Sequence, residues 1–222
     1  MTGCHIPLLE KSSVLASGLS WKGKLVQPRY ILQVVVLGLA LLAAPAAVAQ
    51  GVMDGKEAAE KGNFTRAVEI WRPLAESGDP RAETYLGMMY DNGYGVAQDR
   101  EQAFYWYQRG AEAGYARAQY HLGFMYHYGF GTTRSQSEAL KWYRLAADQG
   151  EVRAQYNLGK LYAHGLVVQR DLVTAHMWFE IASRKRTAVW PLASRDLKTV
   201  AKKMSESQIE EAEERAKNWQ PS

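Results

Sequence analysis

The 222-residue chain has one cysteine, Cys4. A chain whose remaining length carries no thiol has no disulfide framework and no thiolate metal site. Catalytic signatures are missing as well. There is no H-E-x-x-H, G-x-S-x-G, S-x-x-K or Walker A run, and no G-x-G-x-x-G after a strand. His121 and His127, six residues apart, do not share a helix face as zinc ligands four apart would, so no metal or cofactor is expected. Charge of one sign is scarce too. The formal net charge of +4 includes Lys11, Lys22, Lys24 and Arg29 against Glu10 near the N-terminus. Setting residues 1–49 aside leaves 23 basic against 22 acidic residues, a balance that gives a nucleic-acid partner no support.

Only one long apolar run occurs, from Ile31 to Ala49, with Lys22, Lys24 and Arg29 before it and Ala47-Val48-Ala49 at its end. A basic flank, an apolar stretch and a small-residue A-x-A site form the pattern of an export signal, predicting cleavage before Gln50. The competing reading is an uncleaved anchor, because the run approaches the ~20 residues a span requires; the membrane would then be met through this leader alone. Thirty residues precede the run, long for a basic flank, and a start near Val26 would give a leader of ordinary length. Cys4 lies before the apolar run and is not placed as a lipidated first residue of a mature chain.

What the chain has in abundance is repetition. A block beginning at Gly78 recurs at Gly114 and Gly150, a period of 36 residues. The first two copies share Gly78, Arg81, Ala82, Leu86, Gly87, Met89, Tyr90, Gly93, Gly95, Ala103, Trp106, Tyr107 and Ala111. The third keeps Arg153, Ala154, Leu158, Gly159, Tyr162, Gly165, Ala175 and Trp178. A fixed period of this size marks stacked units, none of which can bury its apolar face alone. Within a copy, Pro80 to Asp91 and Asp99 to Glu112 read as two helices around an Asp91-Asn-Gly-Tyr-Gly break. Asp99, Ser135 and Asp171 take the N-cap position, and D-x-x-Q and S-x-x-E have capping-box form. At 100° per residue Ala82, Leu86, Met89 and Tyr90 form one core stripe, and Ala103, Trp106, Tyr107 and Ala111 another. The tryptophans are therefore expected in the core.

The segments RAETYLGMMYDNGYGV, RAQYHLGFMYHYGFG and RAQYNLGKLYAHG, each followed by A-x-x-W-[YF], resemble Sel-1-like repeats, relatives of tetratricopeptide repeats with a longer inter-helix loop. The resemblance implies an all-α, right-handed α-solenoid of antiparallel helix pairs. It divides the chain into a leader (1–49), a degenerate helix pair (50–77), repeats at 78–113, 114–149 and 150–185, and capping helices (186–222). Val167 in place of the second loop glycine, Thr132-Thr133-Arg134 before the cap and Tyr115 in place of the D-P start depart from the pattern.

In stacks of this kind the first helices line the concave side. The face opposite the core stripe carries Arg81, Thr84, Met88, Asp91 and Asn92 in the first copy; Arg117, Tyr120, Phe124, His127 and Tyr128 in the second; Arg153, Tyr156, Lys160 and His164 in the third. Arginine followed by aromatics suits an extended peptide or sugar rings, while the same residue types also suit packing between copies. The leading expectation is an exported, monomeric, non-enzymatic adaptor that binds a protein or peptide through this face. Two alternatives remain: a β-lactamase-like envelope hydrolase, implied only by family members with paired cysteines that this chain lacks, and a carbohydrate-binding scaffold for envelope assembly.

Overall fold

The structure, a computed structural model, describes residues 20–21, 24–25 and 46–222 with the exception of residue 167. The chain divides into two units, Met1–Ala47 and Val48–Ser222. In the first, Ser20–Trp21 (β1) and Lys24–Leu25 (β2) pair antiparallel, with Ser20 opposite Leu25. Most of the predicted export signal, and Val167, lie outside the described residues, whereas the second unit begins two residues before the predicted mature start at Gln50. No helix among the described residues is long and apolar enough to cross a membrane.

The second unit is an α-solenoid. Residues 46–60 form α1, followed by α2 (Phe64–Glu76), α3 (Pro80–Asn92), α4 (Arg100–Glu112), α5 (Ala116–Tyr128) and α6 (Gln136–Asp148). Then come α7 (Val152–His164), α8 (Leu172–Ser183), α9 (Trp190–Ala201) and α10 (Glu206–Asn218). From α2 to α9 each helix packs on the next in sequence, and α10 returns to lie on α8. Thus α3, α5, α7 and α9 form one layer of first helices, and α2, α4, α6, α8 and α10 the layer behind it.

Loop chemistry sets these boundaries. Gly93, Gly129 and Gly165 end the first helices in the left-handed region, with φ of 73°, 74° and 66°, where a side chain would be strained. Asp99, Ser135 and Asp171 cap the second helices through their side chains. Only half of each expected capping box forms at Asp99 and Ser135. The backbone N–H that Gln102 or Glu138 would accept already donates across the loop, from Asp99 to the Tyr90 carbonyl and from Ser135 to the Tyr126 carbonyl, both at 2.9 Å. The complete box sits at Ser205 and Gln208, ahead of α10. Tyr115 starts α5 with no side-chain cap, as its departure from D-P implies.

The core runs as a seam between the layers. Trp71, Tyr107, Tyr143 and Phe179 hold one position in four second helices, each at most 1% exposed. A Cβ on Gly87, Gly123 or Gly159 would lie 2.9, 2.9 or 2.5 Å from the ring of Tyr107, Tyr143 or Phe179, so the glycine of L-G is the slot for that aromatic. Gly55 in α1 gives Trp71 the same slot, its Cβ position 2.3 Å from the indole when built, and the Trp71 Nε1–H donates to the Val52 carbonyl at 3.1 Å. The pair α1–α2 is thus a repeat pair with a shorter loop: three residues, 61–63, separate its helices, against the seven from 93 to 99 between α3 and α4.

One buried polar position distinguishes the copies. Glu83, 2% exposed, pairs with Arg109 at 2.9 Å. Burial pushes its carboxyl above the usual range, opposed by Arg109. The equivalent Gln119 and Gln155 instead donate to the Ala111 and Ala147 carbonyls at 3.3 and 3.2 Å, and Leu145 and Ile181 stand where Arg109 would be.

Candidate partner-binding face

The face of α3, α5 and α7 carries most of the residues assigned to it. Thr84 is the correction. It is fully buried, its Oγ1–H donating to the Pro80 carbonyl at 2.7 Å. The cause is a neighbour that a single-helix projection does not contain: Gly110 of α4 lies against Thr84, and its missing side chain admits the threonine between α3 and α4. Tyr120 and Phe124 are half-buried against the core rather than free on the surface. The Arg153 guanidinium stands 4.4 Å over the Tyr120 ring, and Arg117 5.6 Å over Tyr85, so these arginines tie one copy to the previous one. Arg81 is held by Asp79 at 2.8 Å. Packing within the first copy therefore claims Thr84, and packing between copies claims Tyr120, Arg117 and Arg153 at least in part.

Three hollows remain on this face. The first, about 290 Å³, opens between α1 and α3: Phe64, Trp71, Tyr85, Met88 and Tyr94 line it together with Lys56 and Glu60 of α1, and Arg117 reaches it from α5. Its floor is aromatic and sulfur-bearing, suited to an apolar side chain. The second, about 120 Å³, lies where α5 meets α7, between His127, Tyr128, Tyr143, Asn157 and Lys160. The Tyr143 hydroxyl, buried at its wall, has no hydrogen-bond partner among the described residues. Burial, with Lys160 and Arg134 adding to it, lowers the His127 pKa, which favours the neutral ring.

The third hollow, about 500 Å³, opens between α7, α8 and α9 and contains Tyr156, Lys160 and His164. It also contains Arg170, Arg195 and Lys203, which the sequence reading missed. Arg170 lies in the loop before a cap, aligned with Gln98 and Arg134 but off the first-helix face; Arg195 and Lys203 follow the last repeat, where the 36-residue period had no slot, and their signal was the continuation of the first-helix layer by α9. The Tyr156 hydroxyl donates to Asp196 at 2.9 Å, and burial together with this carboxylate pushes its pKa up to about 12. No group of His, Cys, Asp and Glu able to hold a metal occurs among the described residues.

Residues 80–115, 116–151 and 152–186 match the Sel1 repeat. Among solved structures, the chain is similar to a Sel1 repeat protein from Oxalobacter formigenes, with 31% identity and a TM-score of 0.62 over 66% of this chain and 57% of that one. It is also similar to a protective antigen of uropathogenic Escherichia coli displaying an SLR fold, with 30% identity and a TM-score of 0.48 over 69% of this chain and 40% of that one. The chain thus spans little more than half the length of the first and two fifths of the second. No curated protein matches it. Repeats of this kind generally serve as protein-interaction scaffolds, and this chain carries three Sel1 repeats stacked in one α-solenoid.

Proposed function

We propose that the chain is an exported adaptor, without catalysis of its own, that holds a segment of a partner protein along the face of α3, α5, α7 and α9. The observation that carries this reading is the row of three hollows on one layer of helices, each with different chemistry over a seam that repeats. Binding surfaces are expected to vary where the scaffold beneath them is constant. The leader supports export: basic residues and an apolar run lead to A-x-A at residues 47–49, where the helical unit begins.

The test substitutes one residue per hollow, Met88→Ala, Tyr128→Ala and Lys160→Ala, and compares it with Tyr105→Ala and Leu145→Ala, which are exposed on the second-helix layer. Cross-linked partner recovered from the cell envelope is expected to fall for the first set and persist for the second. Equal recovery from both sets, with helicity unchanged, overturns the face as the binding surface. N-terminal sequencing of the native protein tests export, with Gln50 as the expected first residue. Turnover of a β-lactam by the purified chain would replace the adaptor reading with the hydrolase one.

A further inference from the structure

The two outer hollows differ in kind. The third is lined by Lys160, Arg170, Arg195 and Lys203 against a single carboxylate, Asp196. That carboxylate is already engaged, accepting from the Tyr156 hydroxyl and from Arg195 Nε, each at 2.9 Å. Lys160, Arg170 and Lys203 have no ion-pair partner among the described residues. Their wall also includes Leu172, Phe179 and Val200, and an apolar wall strengthens an ion pair formed beside it. The hollow therefore has cationic donors in excess and lacks the anion that would balance them.

The middle hollow shares Lys160 and adds the buried Tyr143 hydroxyl, 1% exposed as a residue and without a partner. A buried unpaired hydroxyl is costly, so an oxygen acceptor entering beside it recovers part of that cost. The first hollow, in contrast, is built from Phe64, Trp71, Tyr85, Met88 and Tyr94.

We propose that the bound segment is an extended acidic peptide, its side-chain carboxylates in the hollow of Lys160, Arg170 and Lys203 and an apolar side chain in the hollow of Tyr85 and Met88. The proposal rests on the partner-binding reading above and specifies its ligand. The outer hollows sit at α1/α3 and at α7/α9, three steps along the first-helix layer. At roughly 8–10 Å per step the outer hollows stand roughly 24–30 Å apart. An extended chain covers about 3.3–3.6 Å per residue, so the apolar and acidic positions fall about seven to nine residues apart. A main-chain carbonyl between them passes the Tyr143 hydroxyl.

The test uses a fluorescent peptide capped at both ends, carrying Leu, a Gly/Ser spacer of about seven residues and a Glu-Glu pair, titrated with the full chain by polarisation. Binding is expected to weaken about tenfold when Glu-Glu becomes Gln-Gln, and to fall with added salt. The paired variant Lys160→Glu/Arg170→Glu should reproduce that loss with its melting curve unchanged, because neither side chain belongs to the core. Cutting the spacer to one residue should cost a similar factor, because one hollow is then left empty. Equal affinity for Glu-Glu and Gln-Gln peptides overturns the acidic ligand, and indifference to the spacer overturns the two-hollow reading. If envelope capture is lost in the Met88, Tyr128 and Lys160 variants but none of these peptides binds, the adaptor reading stands and this ligand is wrong.

Discussion

Positions 71, 107, 143 and 179 carry Trp, Tyr, Tyr and Phe, each at most 1% exposed, whereas positions 88, 124 and 160 on the first helices carry Met, Phe and Lys. The first series lies in the seam between layers and the second on the outer face, yet both recur at the same 36-residue spacing. In the seam an aromatic ring meets a glycine slot, and close packing allows little change in volume. On the face a side chain meets solvent or a hollow, so its chemistry is free to drift from copy to copy. Architecture and recognition are thus carried by different positions of one repeat.

The comparison breaks most severely if the seam is emptied. Trp71→Ala removes a buried indole, its bond to the Val52 carbonyl and its stack on Tyr85, whose ring centroid is 4.6 Å away. A loss of about 3–5 kcal/mol is expected, read from urea unfolding. Lys160→Ala on the face should change stability by less than about 0.5 kcal/mol. Similar losses at the two positions would show that the face is structural as well.

The fold was legible from the sequence because its signals are local and repeated three times over: caps at Asp99, Ser135 and Asp171, break glycines and apolar stripes. The face was legible only in part. Projecting α3 alone places Thr84 opposite its core stripe, but a helix inside a stack is covered on more than one side, and the space that buries Thr84 comes from Gly110 on another helix. Arg195 and Lys203 escaped for a different reason. Arg195 belongs to α9, and Lys203 to the turn after it, and α9 continues the layer without repeating the motif.

Acid should strain the seam next. The His121 ring stacks on Tyr107, with centroids 4.7 Å apart, and its Nε2 has no partner. Burial, with Arg153 and Arg117 adding to it, lowers its pKa from 6.5 to about 3. The unfolded chain therefore takes up this proton near pH 6.5 while the folded chain refuses it, so stability falls as pH drops below 6.5 toward 3. The slope from this one group is up to about 1.4 kcal/mol per pH unit. The raised Glu83 carboxyl works the other way, favouring the folded state as it protonates. His121→Asn, copying position 157 of the third copy, isolates the histidine: the difference between variant and parent should grow as pH falls from 7 to 5. A constant difference would remove His121 as the cause.

Exchanging chemistry between copies sharpens the comparison further. Arg109→Leu strands the Glu83 carboxylate at the boundary of α3 and α4, and a loss of about 1–3 kcal/mol is expected. Adding Glu83→Gln should restore most of it. The new amide sits where Gln119 and Gln155 sit, eight residues after a carbonyl, here that of Ala75, which it can reach as they reach Ala111 and Ala147. Chemical denaturation of both single variants and the double closes the cycle. Additive losses would mean that the first copy does not accept the arrangement of the other two.

The smallest effect falls where seam and face meet. Tyr107 and Tyr143 both bury a hydroxyl without a partner, and the third copy has Phe179 at the same position. Tyr107→Phe and Tyr143→Phe should each leave stability unchanged or raise it by up to about 1 kcal/mol, because a desolvated, unpaired group is removed. Their effects on binding should diverge. Tyr143 lines the middle hollow beside Lys160, and Tyr107 lines none of the three. Loss of the Tyr143 hydroxyl should therefore weaken the acidic peptide severalfold, while loss of the Tyr107 hydroxyl leaves its affinity as it was. Equal effects of the two variants on affinity would return Tyr143 to the seam and leave the hollow without its buried donor.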